Sequence, residues 1–279
     1  MAEGQPHLAI ETFGRADDPA LLLVMGATAS RGWWPDALCQ GLAARGLYVI
    51  RFDNRDTGQS ATCAPRGASY SVEDLADDVV RVLDRLGLAS AHVMGMSLGG
   101  YLAQMAALRA PGRIRSLVLF ASEPLGWTGP DLPGIADGFM ELFAGFGALD
   151  WADVDAVVGF QLPQLRFCAG PAFPFDAAAS EAMLRAEYAR AINPASAFNH
   201  GAVQSVNDWS GAVYRLQLPV LVIHGTADPI LPIENGRAVA TAIPDARLVE
   251  LEGVGHEIPA GLVPMLVREV ADFILGIPA

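Results

Sequence analysis

The stretch Ala91–Gly100, AHVMGMSLGG, decides the fold class, because it combines an apolar strand, a tight turn and the start of a helix. Gly95 lies two residues before Ser97 and Gly99 lies two residues after it, which gives the pattern GxSxG. A serine at such a turn has strained backbone, and bulky side chains at both glycine positions would clash. The pattern predicts that Ser97 is a nucleophile at the tip of the turn. The alternative is an ordinary strand-turn-helix in which Ser97 only caps the helix.

Apolar runs on both sides of this stretch indicate a mostly parallel central sheet with helices on both faces, an α/β fold. The predicted strands are Leu21–Met25, Tyr48–Phe52, His92–Met94, Leu117–Phe120, Val220–Ile223 and Arg247–Leu251. The predicted helices are Pro35–Arg45, Val72–Leu86, Leu98–Leu108, Glu234–Ala242 and Leu262–Leu275. Ser71, with acidic residues at 73 and 74, is typical of a helix start.

One long interval interrupts this alternation, because no comparable strand occurs between Ala121 and Val220. The interval is too long for a simple crossover and is rich in aromatic residues, glycine and proline. We predict that residues 123–214 form a mainly helical cap, inserted before the penultimate core strand. Residues 1–122 and 215–279 would form the core domain beneath it.

Trp127, Phe143 and Phe146 lie early in this interval and are the candidate substrate-binding aromatics. Gly26 and Ile230 are further candidates, because each belongs to a loop at the carboxyl edge of the sheet, where ligands bind in such folds. The alternative for the aromatics is packing within the cap itself.

A serine hydroxyl needs a neighbouring base, and His256 is the candidate for that role. It follows the last predicted strand in the glycine-rich stretch GVGHEIP, and the chain order Ser, Asp, His is the one expected after such a turn. The other four histidines are expected to be structural or on the surface; they are His7, His92, His200 and His224.

Asp228 in HGTADPI follows the penultimate strand and is the candidate carboxylate that orients the histidine. Its alternative role is an Asx-type turn before Pro229. Glu123, just after the preceding strand, is the rival acid.

An oxyanion formed at Ser97 needs two preorganised donors. The backbone N–H of Leu98, at the start of the helix, is one candidate. The backbone N–H of Ala27, in the small-residue loop MGAT, is the other, and Thr28 is the alternative to it.

The composition of the chain limits the classes of partner that it can bind. The formal charge of −13 and the absence of a basic cluster argue against binding nucleic acid. Cys39, Cys63 and Cys168 form no CxxC pair, so neither a disulfide framework nor a metal site is indicated. No run is long and apolar enough for a membrane span, and Met1–His7 lacks the features of a secretory signal, so we expect a cytoplasmic location.

Over essentially its whole length the chain resembles the α/β-hydrolase superfamily. The residues that carry the resemblance are Val24–Ala27, Asp53–Ser60, Gly95–Gly99, Gly225–Pro229 and Gly255-His256. The run DNRDTGQS and the Met25-Gly26 opening are similar to the aclacinomycin methylesterase-like and related carboxylesterase branch, although the superfamily often has His-Gly at the latter position. Asp53 and Arg55 are expected to secure their loop rather than to contact substrate.

These features predict a serine hydrolase that cleaves carboxylic esters through an acyl-enzyme, without metal or organic cofactor. The aromatic insertion favours a small-molecule ester with a sizeable apolar portion. The oligomeric state is not indicated. Perhydrolase, carbon–carbon bond or lactone hydrolase and aminopeptidase reactions use the same three residue types, and a non-catalytic ligand receptor is the alternative from another class.

Overall fold

The computed structural model describes residues 5–278, so the first four residues of Met1–His7 and the last residue lie outside it. Within this range the chain forms seven strands: β1 Ile10–Phe13, β2 Ala20–Val24, β3 Tyr48–Phe52, β4 Ala91–Met96, β5 Ile114–Phe120, β6 Val220–Gly225 and β7 Arg247–Leu251. The α-helices in the same range are α1 Asp36–Ala44, α2 Val72–Arg85, α3 Leu98–Arg109, α4 Val154–Cys168, α5 Ala177–Arg190, α6 Ile233–Ala242 and α7 Val263–Leu275. Short 3-10 helices cover Arg31–Trp33, Met140–Phe143, Phe146–Ala148, Pro194–Gly201, Ala212–Arg215 and Ala260–Leu262.

The seven strands form one sheet in the order β1-β3-β2-β4-β5-β6-β7. Strands β2 to β7 are parallel, and β1 pairs antiparallel with β3, so that Ile10 lies opposite Phe52. The predicted α/β class and all six predicted strands are confirmed. The sequence prediction missed β1, because a four-residue edge strand with the sequence IETF has no continuous apolar run.

The alternation of side chains along β2 shows how the sheet is covered. Leu22 and Val24 pack in an apolar layer with helices α2, α3 and α6. Leu21 and Leu23 point to the other face and pack with α1 and α7. Because β2 is buried on both faces, all of its residues are apolar.

Helix α2 begins as expected at Ser71. The Ser71 hydroxyl accepts from the backbone N–H of Asp74 at 3.2 Å, and the Asp74 carboxylate accepts from the backbone N–H of Ser71 at 2.9 Å. This reciprocal capping box satisfies two donors at the helix start.

The long interval between β5 and β6 contains only helices and loops within the described residues. Its second α-helix, α5, is joined to the core by an ion pair between its last residue, Arg190, and the buried Asp53 carboxylate. Arg190 donates two hydrogen bonds to the Asp53 carboxylate, at 2.8 and 3.0 Å, and Arg31 donates a third at 2.6 Å. The function of Asp53 is thus to fasten the segments around it. Arg55 is likewise held by Asp78, at 2.6 and 3.0 Å.

The end of the same interval is fastened to α2 through Glu73. Its buried carboxylate accepts hydrogen bonds from the backbone N–H groups of Val206 and Asn207 and from the Trp209 indole, the last at 2.8 Å. Burial opposes ionisation of Glu73, but these hydrogen bonds outweigh it and lower its pKa to about 2.

Replacing this carboxylate tests the attachment: Glu73→Gln should lower the free energy of unfolding by about 2 kcal/mol at pH 7. A carboxylate with a depressed pKa stabilises the fold above its unfolded pKa, and this contribution is lost as the pH falls toward 2. The difference between wild type and variant, measured by urea unfolding, should therefore shrink between pH 5 and pH 3. A difference that is constant over that range would contradict the assignment.

Candidate active site

The turn at Ser97 has the strained geometry that the GxSxG pattern predicts. Ser97 has φ 54° and ψ −124°, between the end of β4 and the first residue of α3. A Cβ atom on Gly95 would collide with the backbone of Gly99, and one on Gly99 would collide with the carbonyl of Val24. The turn can therefore form only because both positions lack a side chain.

Neighbouring strands hold the turn in place. The backbone N–H of Ser97 donates to the Phe120 carbonyl at 3.0 Å, and the Ser122 hydroxyl donates to the Ser97 carbonyl at 2.9 Å. The serine backbone is thus fixed by the end of β5, and its side chain stays at the carboxyl edge of the sheet.

The structure brings Asp228 and His256 together. His256 Nδ1 lies 2.7 Å from Asp228 Oδ2, while Asp228 Oδ1 accepts from the backbone N–H groups of Ile230 and Leu231, both at 2.9 Å. The Asx-type turn and the histidine contact therefore coexist, one on each carboxylate oxygen. Because a carboxylate only accepts, His256 Nδ1 carries the proton and Nε2 is left as the basic nitrogen.

The loop that carries His256 is fastened to the end of α4. The backbone N–H of His256 donates to the Cys168 carbonyl at 2.8 Å, and the Glu257 carboxylate accepts from the backbone N–H of Gly170 at 2.7 Å. A Cβ atom on Gly255 would collide with the same Cys168 carbonyl. The interval between β5 and β6 thus contributes to the placement of the histidine.

No hydrogen bond joins Ser97 Oγ to His256 among residues 5–278, so the structure brings the acid to the histidine but leaves the serine contact as a prediction. All three side chains follow strands of one parallel sheet at the same edge: Ser97 follows β4, Asp228 follows β6 and His256 follows β7.

The rival acid Glu123 forms no hydrogen bond or ion pair with His256 within the described residues, whereas Asp228 does. Its backbone carbonyl accepts from the Gln104 amide at 2.9 Å, and burial raises the pKa of its carboxyl group.

Three of the other histidines have the structural or surface positions expected of them. His7 is exposed. His92 Nδ1 lies 2.7 Å from the Ser116 hydroxyl, and burial lowers the pKa of His92 to about 4. His224 donates from Nε2 to the Leu231 carbonyl at 2.6 Å, and burial lowers its pKa as well.

The loop after β2 passes directly beside the serine. A Cβ atom on Gly26 would lie 3.1 Å from the Ser97 Cβ, so this loop needs glycine to approach so closely. Ala27 is exposed, and its backbone N–H makes no hydrogen bond within the described chain. The backbone N–H of Thr28 instead donates to His200 Nδ1 at 3.1 Å. Of the two candidate backbone donors in this loop, only Ala27 is available to an oxyanion.

The candidate substrate-binding aromatics pack against other rings. Trp127 stacks on Tyr214 with ring centroids 5.8 Å apart. Phe143 and Phe146 belong to a half-buried cluster of rings with Trp151, Phe160 and Phe198. Their role in binding stays a prediction.

A cleft missed by the sequence prediction opens beside Thr28. It lies between the loops after β2 and β3 and helices α4 and α5, and its lining includes Trp33, Gln161 and Tyr188. No sequence signal separates these residues from ordinary surface residues, since the loops and helices that bring them together are far apart in the chain.

Among residues 5–278 no cluster of histidine, cysteine and acidic side chains has a geometry suited to a metal ion. In the same range no helix combines the length and the apolar character that crossing a membrane requires.

Comparison with known proteins agrees with this architecture. A family model of the alpha/beta hydrolase fold matches residues 19–260. Rhodomycin D methylesterase DnrP of Streptomyces peucetius is 32% identical over 265 residues, which cover 89% of this chain and 88% of that enzyme. Rhodomycin D methylesterase DauP of Streptomyces sp. (strain C5) is 32% identical over 268 residues, with the same coverage.

Solved structures show the same fold. A hydrolase from Pseudomonas aeruginosa PA01 has a TM-score of 0.72 at 28% identity, covering 96% of this chain and 94% of that one. The esterase RhEst1 from Rhodococcus sp. ECU1013 has a TM-score of 0.77 at 22% identity, covering 97% and 95%. The chain belongs to the α/β-hydrolase superfamily, in its esterase branch. Within that branch it is a carboxylesterase-type hydrolase.

Proposed function

We propose that this protein cleaves carboxylic esters through an acyl-enzyme in which Ser97 is the nucleophile, His256 the base and Asp228 the orienting acid. The observation that supports the proposal most directly is the 2.7 Å contact between His256 Nδ1 and Asp228 Oδ2. It fixes the tautomer in which Nε2 can accept a proton, at the sheet edge where the strained turn presents Ser97.

In the first half of the reaction, His256 Nε2 takes the proton from Ser97 as its oxygen attacks the ester carbonyl. The oxyanion of the tetrahedral intermediate accepts hydrogen bonds from the backbone N–H groups of Leu98 and Ala27. Collapse of the intermediate breaks the bond to the alcohol, which leaves with the proton from His256. Asp228 stabilises the imidazolium that exists between these two proton transfers.

In the second half, a water molecule attacks the acyl group on Ser97, and His256 takes one of its protons. The new tetrahedral intermediate breaks the bond to Ser97, which recovers its proton from His256. The products are a carboxylic acid and the alcohol released earlier, so the enzyme returns to its starting state without an oxidant, reductant or cofactor.

The two methylesterases at 32% identity support an ester of a small alcohol and a larger acid. The ring cluster around Phe143 and Phe146 supports a sizeable apolar portion on the acid side, because aromatic rings that are only half buried still offer apolar surface.

Covalent labelling tests the nucleophile. Ser97→Ala should abolish hydrolysis of p-nitrophenyl acetate and butyrate while keeping the wild-type melting temperature, because the change removes one oxygen atom. A fluorophosphonate probe should label the wild-type protein at Ser97, as peptide mass spectrometry would show. Labelling at any other residue would overturn the assignment of Ser97. A folded wild-type protein that neither reacts with the probe nor hydrolyses any ester would instead favour a non-catalytic ligand receptor.

Two carboxamide variants test the acid. Asp228→Asn should lower kcat by roughly four orders of magnitude, because an amide cannot stabilise the imidazolium or keep the required tautomer. Glu123→Gln is the matched control and should keep kcat within about threefold. The assignment is wrong if Glu123→Gln loses most of its kcat and Asp228→Asn keeps a kcat close to that of wild type.

Alanine variants of Trp127, Phe143 and Phe146 separate substrate binding from cap packing. Residues that line an acyl or alcohol site should change the ratio of kcat/KM for short and long p-nitrophenyl esters. Residues that only pack should lower stability, by about 3–5 kcal/mol for a well-buried ring and less for these half-buried ones, with an unchanged substrate ranking. Melting temperature and the kcat/KM ratio, measured on the same variants, distinguish the two outcomes.

A further inference from the structure

His200 connects the interval between β5 and β6 to the loop beside the serine. It lies in the 3-10 helix Pro194–Gly201, and its side chain is buried. Its Nδ1 atom accepts from the backbone N–H of Thr28 at 3.1 Å, and its Nε2 atom lies 2.8 Å from the Arg55 carbonyl. One imidazole therefore bridges the loops after β2 and β3.

Each partner of this imidazole can play only one role. A backbone N–H only donates, so Nδ1 must be unprotonated; a carbonyl only accepts, so Nε2 must carry the proton. Both contacts thus select the same neutral tautomer of His200. Burial lowers the pKa of His200 against the opposing effects of the Arg55 carbonyl and the Asp56 carboxylate, which agrees with that neutral form.

The segment that carries His200 is itself held firmly. The side-chain amide of the preceding residue, Asn199, donates to the Asp56 carboxylate at 2.9 Å and to the Ala64 carbonyl at 3.0 Å. Its oxygen accepts from the backbone N–H of Arg66 at 2.6 Å. These bonds prevent the imidazole from following Thr28 if the loop were to shift.

The loop that His200 contacts is short and strained. Thr28 has φ 64°, an unfavourable conformation for a β-branched residue that persists only where the surroundings enforce it. At the other end of the loop, the Asn54 amide donates to the Met25 carbonyl at 2.9 Å. Gly26, where a Cβ atom would lie 3.7 Å from Ser97 Oγ, and Ala27 lie between these two anchors.

We propose that His200 is a positioning residue for the oxyanion hole, which holds Thr28 so that the backbone N–H of Ala27 points toward the oxygen that develops at Ser97. The proposal rests on the proposed function, because it assigns Ala27 a role in that reaction. It makes the histidine contribute to kcat without touching substrate.

Two variants separate the hydrogen bonds of His200. In His200→Asn the amide oxygen can occupy the position of Nδ1, so it keeps an acceptor for Thr28 and loses the donor to Arg55. In His200→Gln the amide nitrogen can occupy the position of Nε2, so it keeps the donor and loses the acceptor. Both variants lose one hydrogen bond and are matched in their expected cost to stability.

For p-nitrophenyl acetate hydrolysis, His200→Gln should lower kcat by about 10-fold to 100-fold with KM changed by less than about threefold, a smaller loss than removal of an oxyanion donor. His200→Asn should keep kcat within about threefold of wild type. Tyr70→Phe, which removes a hydrogen bond to Asp56 outside this loop, should lower the melting temperature and keep kcat.

Equal losses of kcat in the Asn and Gln variants, or wild-type kcat in a folded His200→Gln, would overturn the proposal. If only one variant folds, its kcat alone tests the proposal, against the value expected above for that variant. If neither variant folds, amide hydrogen exchange in the wild-type protein tests the proposal. The Thr28 amide should exchange at least about 100-fold more slowly than the Ala27 amide, and equal exchange rates would refute the proposed role of His200. A wild-type protein that turns over no ester and is not labelled at Ser97 overturns the proposed function, and this role of His200 with it.

Discussion

The structure around Ser97 depends on how closely three backbone segments approach one another. Gly95 and Gly99 meet across the turn at Ser97, Gly99 meets the end of β2, and Gly26 passes against the Ser97 side chain. A Cβ atom would force at least one of these segments apart. The close approach brings the first turn of α3, the end of β2 and the loop after β2 together around Ser97.

Strain is concentrated at this sheet edge. Thr28, Asp56, Ser97 and Ala121 all have positive φ without being glycine, and they follow β2, β3, β4 and β5, in that order, within a few residues. Such conformations cost free energy, and surrounding contacts must compensate. Hydrogen bonds hold all four: Ser97 bonds to Phe120 and Ser122, and Thr28 bonds to His200. The Asp56 carboxylate accepts from Asn199, and the backbone N–H of Ala121 donates to the Ile223 carbonyl.

Local patterns predicted the fold and the candidate residues, but not the contacts that hold them. The turn at Ser97, the strand before Asp228 and the loop around His256 each have their own signal in glycine spacing and apolar runs. Asp228 shows why two interpretations of one residue were both reasonable, because one oxygen forms the Asx-type turn and the other bonds His256. By contrast, the contact between Thr28 and His200 spans 172 positions, and nothing near either residue indicates it.

The interval between β5 and β6 acts on the site from two sides. The carbonyl of Cys168, at the end of α4, accepts from the backbone of His256, and His200 accepts from the backbone of Thr28. In both cases the core loop contributes a backbone N–H, and the interval contributes the acceptor. Side chains elsewhere in these loops could therefore vary without breaking either attachment. A long interval that only covered the sheet edge would need neither contact, so the two hydrogen bonds indicate that it also sets the positions of His256 and of the loop beside Ser97.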